Sequence, residues 1–126
     1  MIKRDPENLK IEKVTFNDVT SAVWNRENVQ IVFLCPGHLF IKQTPVENTI
    51  RRSVGAGYRY ETALSERMTV SHLVHRLQRE VGDVPFLIVL PDGGVYDPRL
   101  AHHAIVPMGT VRDYYRRTPD YHKPYA

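Results

Sequence analysis

Cys35 stands three residues before His38, and a thiol with an imidazole that close in sequence could supply a nucleophile and its base. Pro36-Gly37 puts a turn between them, and no third group is spaced to orient the histidine. Cys35 therefore reads as a small buried hydrophobe at the end of an apolar strand. As the only cysteine it excludes an intrachain disulfide and a cysteine-built metal site. His102-His103 invites a metal reading, but adjacent side chains diverge on a strand or a helix, and no third ligand follows at a recognisable spacing. The expected arrangement is one of the two packed on a sheet. His72 and His75 lack a carboxylate at matching helical spacing. Asp92-Gly93-Gly94 lacks the spacing of a phosphate loop and leads into a strand, and Gly55-Ala56-Gly57 is too short for a dinucleotide fingerprint. With no nucleophile triad, carboxylate pair or zinc spacing, the chain is expected to be no enzyme and to use no cofactor, metal or small-molecule substrate.

Residues suited to contact are more prominent. Residues 1–98 carry 12 basic and 12 acidic side chains, while residues 99–126 carry five basic against two acidic, so the whole net charge of +3 sits at the C-terminal end. Arginine outnumbers lysine 12 to 5, and its planar fork suits carboxylate, phosphate and aromatic surfaces. Four of the seven tyrosines lie in the last thirteen residues beside this excess. The cluster Arg112, Tyr114, Tyr115, Arg116, Arg117 and Tyr121 is therefore the first candidate partner-binding surface, since Tyr and Arg are enriched at binding hot spots. The second is a helix face bearing His72, Arg76 and Arg79, with Arg67 just before it. Trp24 is expected to anchor its segment on the core or on a partner.

These residues need elements to hold them. A hydrophobic share of 42% with 25% charged residues fits an ordinary globular domain and not a disordered chain. No apolar run approaches the ~18 residues of a membrane span, and the N-terminus has no apolar signal core. A cytoplasmic protein is the expectation. Residues 1–27 read as an arm with a short helix over Phe16–Trp24, capped by Asn17 or Asp18. Asn28–Leu34 and His38–Gln43 read as strands, 44–57 as a loop, and the alternation in Tyr58–Leu64 as a half-buried strand. Val70, Leu73, Val74, Leu77 and Val81 share one face of a helix begun by Thr69 and ended by Gly82. Phe86–Leu90 is a buried strand, Asp92-Gly93-Gly94 a hairpin turn and Val95-Tyr96 a short return strand. Residues 109–117 read two ways. A strand puts Asp113 on the core side, whereas a helix gives Thr110 and Asp113 a capping box and Val111, Tyr114 and Tyr115 a stripe. Fold context favours the strand, while local chemistry favours the helix. Residues 118–126 read as an extended tail.

In order and spacing, residues 28–117 resemble a ubiquitin-like β-grasp domain. The likeness is carried by the Thr-capped helix TVSHLVHRLQREVG, by PFLIVLPDGGVYDP, and by RLAHHAIVPMGTV, in which Ile105 would drop into the core. The N-terminal helical extension and the strand NVQIVFLC look most like the autophagy-related ubiquitin-like modifiers. The resemblance implies an α+β fold, with a mixed sheet of about four to five strands packed on one main helix at residues 69–82. Members that are conjugated need an exposed terminal glycine. This chain ends KPYA with no glycine after Gly109, so a non-covalent protein-binding adaptor or complex subunit is expected. The alternative is an RNA-binding or ribonucleoprotein-associated protein in which the C-terminal Arg/Tyr cluster stacks on bases.

Overall fold

The computed structural model describes residues 15–34 and 58–121. The arm before Thr15, Cys35, the strand expected at His38–Gln43, the loop at 44–57 and the tail beyond Tyr121 lie outside the described residues. Among the described residues the fold is α+β, with four helices and a three-stranded antiparallel sheet. No helix among them is long and apolar enough to cross a membrane.

Helix α1 spans Phe16–Glu27. Its cap is Thr15, ahead of the expected Asn17 or Asp18: Asp18 N donates to Thr15 Oγ1 (3.1 Å) and Thr15 N donates to Asp18 Oδ2 (2.9 Å). This reciprocal pair satisfies two backbone donors at the helix start. The helix also runs past Trp24, to a C-cap at Asn28 in the left-handed region (φ 63°). Asn tolerates that conformation, and its backbone N–H and its Nδ2 both donate to Trp24 O. The buried face is Phe16, Val19, Thr20, Val23 and Glu27, an apolar stripe whose last member is a carboxylate.

Strand β1 (Gln30–Phe33) follows directly. Helix α2 (Val70–Val81) then matches its expected stripe, with Val70, Leu73, Leu77 and Val81 buried and Val74 half-buried. Thr69 caps it and Gly82 (φ 82°) ends it. Strand β2 (Phe86–Val89) runs antiparallel to β1, and β3 (Val95–Tyr96) runs antiparallel to β2. The turn between β2 and β3 closes through Leu90 N to Gly94 O (2.8 Å), with Gly93 at φ +93°, where a Cβ would be strained. Short helix α3 (Ala101–Ala104) and helix α4 (Met108–Arg116) are the last elements among the described residues.

Three expectations are corrected here, and the open reading of residues 109–117 is decided. The sheet is neither mixed nor four- to five-stranded among the described residues. β1 and β2 pair directly, from Gln30↔Val89 to Phe33↔Phe86, which leaves no slot between them for a last, central strand. Residues 109–116 accordingly belong to α4, with Arg117 as its C-cap. The helical period buries Met108, Val111, Arg112 and Tyr115 together and turns Asp113 to solvent, removing the conflict a strand would create. Tyr58–Leu64 is not a strand. Its backbone bonds go to side chains, Leu64 N to Glu27 Oε1 (2.9 Å) and Thr62 O from Arg76 Nη1 (2.8 Å), and a residue so held has no need of a neighbouring strand. Ile105 is 69% exposed. The bridge between Thr69 and Pro107 sets the local alternation, so Val106 packs against the core and Met108 is buried in place of Ile105.

One apolar core draws on α1, β1, α2, β2 and α4. Ile31 faces Ile88 and Phe33 faces Phe86 across the β1–β2 ladder, and such cross-strand pairs are the stabilising unit of a sheet. Phe33 also meets Phe16, with ring centroids 4.9 Å apart, so one side chain joins α1 to both β1 and β2.

Candidate aromatic pocket and the ionic cluster behind it

Trp24 and Asn28 at the end of α1 meet Arg112, Tyr115 and Arg116 of α4. With Thr118, Pro119 and Tyr121 they line a pocket of about 250 Å³. Five side chains expected to bind a partner thus come together: Trp24, Arg112, Tyr115, Arg116 and Tyr121. The three rings pack on one another at tilted to edge-on angles, with centroids 5.7 Å (Trp24–Tyr115), 5.6 Å (Trp24–Tyr121) and 5.4 Å (Tyr115–Tyr121) apart. These are favoured aromatic geometries. The segment after α4 is turned toward Trp24 by Thr118, whose Oγ1 donates to Tyr114 O (3.1 Å) and whose carbonyl accepts from Tyr121 N (2.9 Å).

Tyr115 is more than a wall. Its hydroxyl accepts from Gln30 N (3.1 Å) and donates to Val89 O, tying α4 to the first pair of the β1–β2 ladder. Burial pushes its pKa well above the usual phenol value. Tyr115→Phe leaves a buried N–H and a carbonyl without that partner and is expected to cost about 1–3 kcal/mol. Urea denaturation checks this, and an unchanged midpoint would show that the hydroxyl bridge contributes nothing.

The arginines behave differently from the sequence-based expectation. Arg112 is buried, its side chain 7% exposed, and all three nitrogens are engaged. Nε donates to Glu27 O (2.8 Å), Nη2 to Glu27 Oε1 (2.7 Å) and Nη1 to Glu66 Oε2 (2.7 Å). The fully buried Glu27 carboxylate also accepts from Tyr58 OH (2.5 Å) and from Arg76 Nη1 (2.8 Å). Burial first, and the bond to Glu27 second, raise the Tyr58 pKa far above its ordinary value. Arg112 and Arg76 are therefore internal ties and not an open contact surface. A buried carboxylate demands such partners. Arg76 also lies over the Tyr60 ring at 4.2 Å.

Arg116 sits at the pocket's edge, and the remaining candidates are scattered. Arg116 is 54% exposed and bonds both Glu66 and Asp113 at 2.9 Å. Arg117 is exposed and lies over Tyr114 at 4.8 Å, while Tyr114 packs edge-on to Tyr96. His72 is exposed, but its Nδ1 accepts from Thr69 N (3.1 Å) at the start of α2. Arg67 and Arg79 are exposed and do not line the pocket. His103 packs edge-on to Tyr96 and its Nδ1 accepts from Asp97 N (2.8 Å), which matches the expected packed histidine. Among the described residues no group of three or more His, Cys, Asp or Glu side chains could hold a metal. A second groove of about 360 Å³ lies between α2 and β2, with Val74, Leu77, Val84, Phe86 and Pro98 in its apolar lining.

Glu27 and Glu66 were absent from the sequence-based site. Glu27 does carry a signal, because it continues the α1 stripe Phe16–Val19–Val23 where an apolar residue would be expected. Hydrogen bonds from Arg116 first and Arg112 second hold the Glu66 carboxyl down at about 2, against an ordinary 4.5. A folded pKa below the unfolded one contributes stability that is present above pH 4.5 and is lost as pH falls toward 2. Glu66→Gln should flatten the fall in stability across that window. Paired denaturation series in acid test this, and parallel curves for the two proteins would refute it.

No family model, no curated protein and no solved structure matches the chain.

Proposed function

We propose that the chain is a non-covalent protein-binding module, an adaptor or a structural subunit of a larger assembly, that engages its partner at the aromatic pocket built on Trp24 and Tyr115. The observation that carries this reading is the meeting of three large aromatic side chains at one open pocket, two of them half-buried. Trp and Tyr in such a setting are the side chains that dominate binding energy. The likeness to ubiquitin-like domains belongs to this proposal for the Thr69–Tyr96 unit alone, where a Thr-capped helix leads through a strand and a glycine turn to a return strand. A cytoplasmic place of work belongs to it too. The RNA-binding alternative loses support because Arg112 and Arg116 are already bonded to Glu27, Glu66 and Asp113. A phosphate track needs cations that can release counterions.

The test is affinity capture from the native source together with light scattering, using the full chain, Trp24→Leu and Arg79→Ala. The reading expects a stable complex that Trp24→Leu weakens by about 2 kcal/mol or more and that Arg79→Ala leaves intact. Circular dichroism must show both variants folded. A strictly monomeric protein with no partner, or a complex indifferent to Trp24, would sink it.

A further inference from the structure

Tyr121 lies beyond the last turn of α4, yet its ring is set against Trp24 and Tyr115 at 5.6 and 5.4 Å. It is carried by Thr118-Pro119-Asp120-Tyr121. In that segment Pro119 has no N–H to donate and restricts Thr118 before it. Tyr121 N donates to Thr118 O, closing one turn. Thr118 and Pro119 also line the pocket, which stays open beside the ring. The chain thus displays what its aromatic slot accepts: a phenyl-sized ring, tilted against an indole and edge-on to a phenol, delivered by a short segment containing proline.

We infer that the slot beside the packed Trp24 and Tyr115 rings, which Tyr121 covers, is a receptor for an aromatic side chain on a short proline-containing segment of a partner protein, and that Tyr121 is the chain's own occupant, displaced when the partner binds. This rests on the protein-binding reading above and gives the partner its chemistry. A slot already filled binds with an affinity reduced by the fraction of time it stands open. Removing the resident ring therefore strengthens binding to an added one, about tenfold if the slot is open a tenth of the time. A resident carried on a short segment competes at an effective concentration of about millimolar, so exchange remains within reach of a partner.

Trp24 is the only tryptophan, and its single indole N–H resonance reports on the slot. The probe is the blocked tetrapeptide Thr-Pro-Asp-Tyr, titrated into the full chain and into Tyr121→Ala, with Thr-Pro-Asp-Ala as control. The expected result is a saturable shift of the Trp24 resonance in Tyr121→Ala that returns it toward its wild-type position. Half-saturation should come at a concentration about tenfold lower than in the unaltered chain, and the control should give no shift. Three results overturn the inference: no shift in a folded Tyr121→Ala, equal affinity in both proteins, or an equal response to the control. Should Tyr121→Ala lose its helical signal, the unaltered chain decides with Thr-Pro-Asp-Phe. That peptide must move both the Trp24 indole and the Tyr121 ring resonances, and silence of either counts against displacement. A failed titration with Trp24-dependent capture intact refutes this inference and leaves the protein-binding reading standing.

Discussion

Replacing Glu27 with alanine is expected to destabilise the protein by about 3–5 kcal/mol, the cost of leaving buried charge without its counter-charge. The carboxylate is fully buried and accepts from Arg112, Arg76, Tyr58 OH and the backbone of Leu64. Its loss strands Arg112 inside, with its Nε still on Glu27 O and its Nη1 on Glu66. The cluster need not stabilise the fold relative to apolar side chains of the same shape. The double change Glu27→Leu with Arg112→Met is accordingly expected to recover part of the loss, since it removes the stranded guanidinium but leaves Tyr58 OH, Leu64 N and Arg76 Nη1 without their acceptor. Urea midpoints of the two single variants and the double variant form the cycle. Simple additivity of the two losses would show that the partners do not act together.

Phe33→Ala is expected to cost about 3–5 kcal/mol, the range for deleting a buried aromatic ring. Phe33 is fully buried, opposes Phe86 across the β1–β2 ladder and packs on Phe16 at the start of α1. The hole would open where a helix and two strands converge, so no single side chain can collapse into it. Small domains hold only about 5–15 kcal/mol of net stability, so this one change should bring the protein close to unfolding at room temperature. Thermal and urea denaturation measure it. A loss below that of an ordinary methylene deletion would show that the junction repacks.

Helix α2, β2 and the turn to β3 were legible in the sequence because their signals are local. Thr69, a regular apolar period, Gly82 and Asp92-Gly93-Gly94 each act within a few residues. Helix α4 was half legible. The local chemistry of Val111, Tyr114, Tyr115 and Asp113 pointed to a helix, and only the wish for a last central strand pointed away. The structure sides with the local chemistry, although the helix begins at Met108 after a Pro107 cap and not at the Thr110 box. Tyr58–Leu64 misled because alternation describes which side chains are buried but not what its backbone bonds to. Those partners, Glu27 and Arg76, come from other elements.

The pocket shows the same division. The crowding of tyrosines near the C-terminus announced an aromatic surface, and Trp24 announced an anchor. That Arg112 turns inward could not be read from its neighbours, because the residue that turns it lies 85 positions earlier. Its one sign in the sequence was the distant carboxylate at the end of the α1 stripe.

That separation has a consequence for how the molecule is made. At a synthesis rate of about 5–20 residues per second, Arg112 follows Glu27 off the ribosome by roughly 4–17 s. Throughout that interval α1 is finished and carries a carboxylate on the face it must bury. Tyr58 and Arg76 arrive earlier, 31 and 49 positions after it, and can begin to shield the charge. The guanidinium that closes the helix end is the last to emerge. Nascent chains released before Arg112 should therefore hold α1 loosely, and chains a few residues longer should lock it.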